Sequence, residues 1–379
     1  MFRRFVIPVW VLSLVCGSVA AQGSRPAGLA VFYFGNSLSE NSMPPFQVAL
    51  GRSAGREWNT GAMVGPGWTI FTNVHALEHN RYVWSSRGPG QAREVLQKQS
   101  WDAVVVQPFA WPGLHRRKTD LAGWIPKDKQ DEYGDDIGDV ESAARIFGQF
   151  LQWHPKGQCL IYEQWPSMER KRGPDGKPFK APTPGPGGKG DEDFVPDREA
   201  FDYVKQWETV RYDPARKWDG DTYRTRDYFH KLMEELKGRF PEHWKQGRLR
   251  YIPVAEVFNE LDKQMRAGKL PGHKGIAWFY TDCVHQRMGL PRYVIAATFY
   301  SVLFRDRPHG LDWKVYNDPE AYLQCTERTR FYSHKPDMGE PCPITEELAR
   351  QVHDTIWTVV KSHPYTGVRD ESAPGEPKP

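Results

Sequence analysis

The sequence is short of several things, and each shortage narrows the reading. Five cysteines in 379 residues, with no Cys-x-x-Cys and no Cys/His spacing of a zinc site, argue against a structural zinc module. A net charge of +4, from 51 Lys and Arg against 47 Asp and Glu, is too small over this length to mark a nucleic-acid binder. Past the N-terminus no run is long and apolar enough to span a bilayer. No internal repeat is visible. The serine turn at Gly35-Asn36-Ser37 is not the Gly-x-Ser-x-Gly elbow, and the His-Glu-x-x-His metal motif does not occur. The closest approach to the latter is His75-Ala76-Leu77-Glu78-His79, whose two histidines have the spacing of a metal pair but lack the Glu after the first. A solvated or capping role is the simpler expectation, and no metal or other cofactor is expected. With 34 Gly and 31 Pro the chain is rich in turns, yet too unperiodic for collagen or wholesale disorder.

What is present is a globular chain with an export signal. Apolar residues make up 39% and aromatics 13%, including 15 Trp, enough for a core. Arg3 and Arg4, the apolar stretch Phe5–Val15 and the small residues Ser18-Val19-Ala20-Ala21 read as a signal peptide over residues 1–21. Export would place the mature chain outside the cell or in a periplasm, where disulfides can form. Of the cysteines past the leader, Cys325 and Cys342 flank one loop-rich stretch and are the preferred pair, whereas Cys159 sits in an apolar run as a buried small residue.

Short apolar runs alternate with longer amphipathic ones, the pattern of a parallel sheet flanked by helices. Strands are expected at Ala30–Phe34, Arg56–Val64, Ala103–Gln107, Cys159–Tyr162 and Arg250–Pro253. Helices are expected from Pro44, over Trp68–Asn80 and Gly138–Trp153, after Pro253, and over Arg287–Leu303 and Thr345–Lys361. One domain should span residues 28–363. Insertions at about 110–136 and 165–223 would leave from strand ends, where open α/β sheets put their ligands. The tail 368–379 should be disordered.

Three short motifs carry chemistry. Phe34-Gly35-Asn36-Ser37-Leu38 puts a serine hydroxyl at a strand tip just before a helix, although Gly, Asn and Ser are also ordinary cap residues. Asp282-Cys283-Val284-His285 pairs a base with an orienting carboxylate, as a serine nucleophile requires. Alone, Asp282 could equally be a helix cap. Gly65-Pro66-Gly67-Trp68 and Gln107-Pro108 offer donors for an oxyanion. The aromatic residues Trp68, Phe109, Trp111 and Trp165 follow strand ends and could rim a pocket, though packing is about as good a reading. Glu163 could face the cleft or close a sheet end.

Taken in order along the chain, these motifs resemble the GDSL/SGNH hydrolase family, over most of the chain from about Leu29 to the helix at Thr345–Lys361. The first block appears as Gly-Asn-Ser-Leu, with Asn36 where the family usually has Asp. The glycine block is best matched by Gly67, with Gly65 competing. The amide of the third block is Gln107 in place of Asn. The last block is Asp282 and His285. The resemblance implies a three-layer α/β/α sandwich with a flavodoxin-like parallel sheet. It further implies an esterase with Ser37, His285 and Asp282 as the catalytic residues and Ser37, Gly67 and Gln107 as the oxyanion hole. Asn36, Trp68, Phe109, Trp111 and Trp165 would form the substrate pocket. An acyl ester, such as acetyl on a carbohydrate, would be the substrate. A lipase or arylesterase, or a non-catalytic carbohydrate-binding protein on the same fold, are the alternatives.

Overall fold

The computed structural model describes residues 26–42, 44–109, 113–115, 138–179, 195–210, 224–270, 272–318, 320–321, 324 and 341–369. The signal peptide, Trp111, Cys325, nearly all of the first insertion and the chain from residue 370 lie outside these. Val368, assigned above to the tail, is buried.

The centre is a seven-stranded sheet in the order β4-β3-β2-β1-β5-β6-β7. Its strands are β1 (Gly28–Gly35), β2 (Glu57–Val64), β3 (Tyr82–Ser85), β4 (Gly90–Gln91), β5 (Ala103–Val106), β6 (Gln158–Tyr162) and β7 (Leu249–Ile252). From β2 to β7 all pairings are parallel, and β3 and β4 form an antiparallel edge. The parallel part has the flavodoxin strand order, which reverses direction between β1 and β5. The expected α/β/α architecture is therefore present.

The two-residue period of β1 shows how both faces are filled. Tyr33 packs against Phe299 on α10 (Leu290–Phe304). Its neighbour Phe32 meets Trp101 edge-on. On the Tyr33 side, Trp58 of β2 packs against Phe304, and α9 (Val254–Arg266) and α11 (Glu346–Ser362) pack with α10. On the other side α5 (Asp139–Trp153) packs against α3 (Ile70–Glu78), α4 (Ala92–Lys98) and α7 (Arg226–Arg239). Helices α1 (Ser37–Asn41) and α2 (Pro44–Ser53) follow β1, while α6 (Tyr203–Glu208) and α8 (Pro241–Lys245) complete the β6–β7 connection. Among the described residues no helix is long and apolar enough to cross a membrane.

Two helices start two or three residues later than the sequence expectation. The helix expected from Trp68 starts at Ile70, because Thr69 caps it by accepting from Thr72 N. The helix expected from Arg287 starts at Leu290. Gly289 adopts φ +82° beside Cys342, where a Cβ would lie 2.0 Å from the Cys342 carbonyl oxygen, so the chain turns there before the helix begins.

Asp139 opens α5 fully buried. Its Oδ2 accepts from Tyr228 Oη at 2.6 Å, while Oδ1 has no hydrogen-bond partner among the described residues. Burial raises its carboxyl from 3.8 to about 8, against the lowering effect of the Tyr228 bond. Between those values the folded chain keeps a proton that the unfolded chain has released. This group therefore costs stability as pH rises from about 4 to about 8, by up to about 1.4 kcal/mol per pH unit. Asp139→Asn is expected to gain more thermal stability relative to the parent at pH 8 than at pH 5. Denaturation curves at the two pH values check this.

Candidate functional site

The carboxyl ends of the parallel strands bring the motif residues to one edge, around the reversal point between β1 and β5. At the end of β1, Asn36 has extended backbone and caps α1. Its Oδ1 accepts from Leu38 N at 2.9 Å, and Ser39 Oγ accepts from Asn36 N at 3.4 Å. Ser37 is thereby the first helical residue, and its side chain is only partly covered.

Ser37 Oγ lies 2.9 Å from His285 Nε2, although the two are 248 residues apart. His285 Nδ1 lies 2.6 Å from Asp282 Oδ2. The other carboxylate oxygen accepts from Val284 N and His285 N, both at 2.7 Å. Burial pushes the Asp282 carboxyl up. The His285 imidazole and the hydrogen bonds from His285 and Val284 outweigh that and leave it below its ordinary value. An ionised carboxylate only accepts, so it places the ring proton on Nδ1 and turns the Nε2 lone pair toward Ser37. This arrangement can take a proton from the serine hydroxyl and stabilise the resulting imidazolium.

Of the two candidate glycines, Gly65 is covered by the Trp68 ring, where a Cβ would lie 2.2 Å from the indole. Gly67 is exposed at φ +68° with open space beside it. Asn36 is fully buried, and its Nδ2 donates to Trp68 O at 3.2 Å. It ties the glycine loop to the serine turn and does not face a pocket. Gln107 is likewise fully enclosed. Its Oε1 accepts from Ser39 Oγ at 2.6 Å, and its Nε2 has no acceptor among the described residues. A buried donor without a partner is costly, and such groups collect at functional sites.

The aromatic candidates divide. Trp68 and Phe109 are partly exposed, with Arg81 and Arg224 guanidinium carbons 5.6 and 5.8 Å from their rings. Trp165 is fully buried against Phe258 and Tyr162, and its Nε1 donates to Val284 O at 2.7 Å. It supports the loop holding His285 and does not line the cleft. Trp111 lies outside the described residues. Glu163 closes the sheet end, accepting from Tyr251 Oη at 2.5 Å and Glu256 N at 2.9 Å. Burial and the neighbouring Glu256 carboxylate raise it to about 8.

Some neighbours had no motif to announce them. Glu40, one turn after Ser37, is raised to about 8 by burial, with His285 and Arg292 pulling it back. Asn41 Oδ1 accepts from Gln286 N at 2.9 Å and joins α1 to the His285 loop. The spacing of Asn41 from Ser37 carries no chemical signature, so only the fold reveals it. His75 and His79 pack with ring centroids 3.9 Å apart and the ring planes tilted by 45°, and His79 Nδ1 lies 2.9 Å from His75 O. Among the described residues no group of three or more His, Cys, Asp or Glu is placed to hold a metal ion.

No family model and no curated protein matches the chain. Remote likenesses exist among solved structures. A DUF4886 family protein from Bacteroides uniformis is 12% identical, with a TM-score of 0.45 over 88% of this chain and 95% of that one. A candidate GDSL-like lipase from Parabacteroides merdae is 12% identical, with a TM-score of 0.36 over 74% and 99% of the two chains. A gut microbial diltiazem-metabolizing enzyme is 11% identical, with a TM-score of 0.36 over 75% of this chain and 49% of that one.

Proposed function

We propose that the protein is a serine esterase that removes an acyl group, such as acetyl on a carbohydrate, through an acyl-enzyme. The observation that carries this reading is the continuous chain from Ser37 Oγ through His285 to Asp282, at 2.9 and 2.6 Å. The arginine pair and small apolar stretch at the N-terminus support action outside the cytoplasm.

Ser37 Oγ attacks the acyl carbon while His285 Nε2 takes its proton. Asp282 holds the ring in the productive tautomer and stabilises its charged form. The tetrahedral oxyanion receives the N–H groups of Ser37 and Gly67. The exposure of Gly67, against the covered Gly65, favours that glycine. Gln107 Nε2 supplies the third donor once the cleft adjusts to substrate, and Ser39 turns the amide so that its nitrogen is the end left over. His285 returns its proton to the leaving alcohol, and a water molecule activated by His285 then releases the acid. Trp68 and Phe109 at the strand ends suit a flat or ring-shaped substrate face.

The test is covalent labelling with a fluorophosphonate, read as a mass increase on Ser37, together with hydrolysis of p-nitrophenyl acetate. A folded protein that neither labels nor hydrolyses would instead favour a binding role. Gln107→Ala grades the same reading. It is expected to lower kcat by about 10²- to 10³-fold with KM little changed, because the donor acts on charge that forms only in the transition state. Initial rates over a range of substrate concentrations separate the two constants.

A further inference from the structure

The turn that presents Asp282 and His285 has little regular structure of its own. Thr281 N donates to His285 O at 2.9 Å, and Asp282 caps the turn from inside. The remaining carbonyls need donors from elsewhere, since a covered carbonyl without a partner is costly. Those donors come largely from the segment between β6 and α6. Trp165 Nε1 donates to Val284 O at 2.7 Å, and Met168 N donates to Cys283 O at 2.8 Å. Arg198 Nη2 donates to both Tyr280 O, at 2.9 Å, and Thr281 O, at 3.2 Å. Arg287 Nε joins it on Tyr280 O at 3.0 Å, and Tyr280 Oη donates back to Pro166 O at 2.8 Å. The Arg198 guanidinium carbon lies 5.9 Å from the Trp278 ring centroid. The segment forms antiparallel bridges across its own base, Arg170 to Pro196 and Arg172 to Pro178.

We propose that Arg198 is a positioning residue for His285 and Asp282, and that the described parts of this insertion brace the turn that carries them. The inference rests on the esterase reading for its kinetic consequence. The base must stay within hydrogen-bond reach of Ser37 and Asp282 at once, and a displacement of about 1 Å can cost about 10²-fold in rate. Arg198 is the one described side chain that holds two carbonyls of the turn. It is only half-buried, so its loss should loosen the turn while sparing the core.

The experiment compares full-length parent, Arg198→Ala, Arg198→Lys and Trp165→Phe. Three readouts are taken: kcat and KM for p-nitrophenyl acetate, the thermal midpoint, and the low-field proton NMR resonance of the His285 Nδ1–H held by Asp282. Arg198→Ala is expected to lower kcat by about 10- to 10²-fold with KM nearly unchanged, and to broaden or remove the resonance. Arg198→Lys, which can still reach one carbonyl, should recover part of both. An unchanged resonance in Arg198→Ala overturns the proposal, whether or not kcat falls, because a positioning residue must be felt at the ring. Should Arg198→Ala fail to fold, Trp165→Phe removes a single donor from the same brace, and an unchanged resonance there overturns it equally. If the parent neither hydrolyses ester nor labels with fluorophosphonate, the esterase reading falls. The resonance still decides whether Arg198 positions His285.

Discussion

Ser37→Ala is expected to lower kcat for p-nitrophenyl acetate by about 10⁶-fold and to abolish fluorophosphonate labelling. The hydroxyl is the atom that would become covalently bound to the acyl group, so no neighbour can take its place. Its contact with His285 is at 2.9 Å, on a residue that is only partly covered. The backbone bonds that shape the turn come from Asn36 and Ser39. The thermal midpoint of the variant should therefore stay close to that of the parent. KM should also change little, because the oxygen contributes mainly once the acyl carbon is attacked. Residual hydrolysis above the water reaction would measure the oxyanion donors alone. Turnover equal to the parent's would remove Ser37 from the mechanism.

Asp282→Asn is expected to lower kcat by about 10⁴-fold while leaving the turn intact. Asp282 Oδ1 accepts from two backbone N–H groups, those of Val284 and His285. An asparagine must keep its oxygen there, which forces its amide nitrogen toward His285 Nδ1. A donor at that place asks Nδ1 to accept, so the ring proton moves to Nε2 and points at Ser37. The base then faces its nucleophile in the wrong tautomer. The measurement is kcat for p-nitrophenyl acetate beside the thermal midpoint. A loss of less than tenfold would mean that the carboxylate does not orient the base.

The strand cores were legible because buried parallel strands read as continuous apolar runs, as Ala103–Val106 and Cys159–Tyr162 do. The antiparallel edge of β3 and β4 was not. Tyr82–Ser85 is short and alternates exposed with buried residues, and β4 has two residues, too few to establish a period. Helices α4, α6, α7 and α8 also had no counterpart in the sequence reading. Within the site, the serine turn and the Asp-x-x-His spacing are local patterns. For Asn36 and Trp165, position after a strand does not say which way the side chain turns. Asn36 is consumed by capping and by the Trp68 carbonyl, and Trp165 is folded under the turn that carries His285.

By itself the sequence determined the class of the fold and the residue types available for chemistry, because apolar periodicity and short motifs are properties of neighbouring residues. Only the tertiary structure decided which groups meet. It brings Ser37 to His285 across 248 residues, covers Gly65 with Trp68 while leaving Gly67 open, and gives the carbonyls around Asp282 to Arg198. The contacts of Ser37 with His285 and of Arg198 with the carbonyls are long-range, set by how the sheet reverses direction between β1 and β5 and by where the insertion returns to it. No local pattern in the chain encodes them.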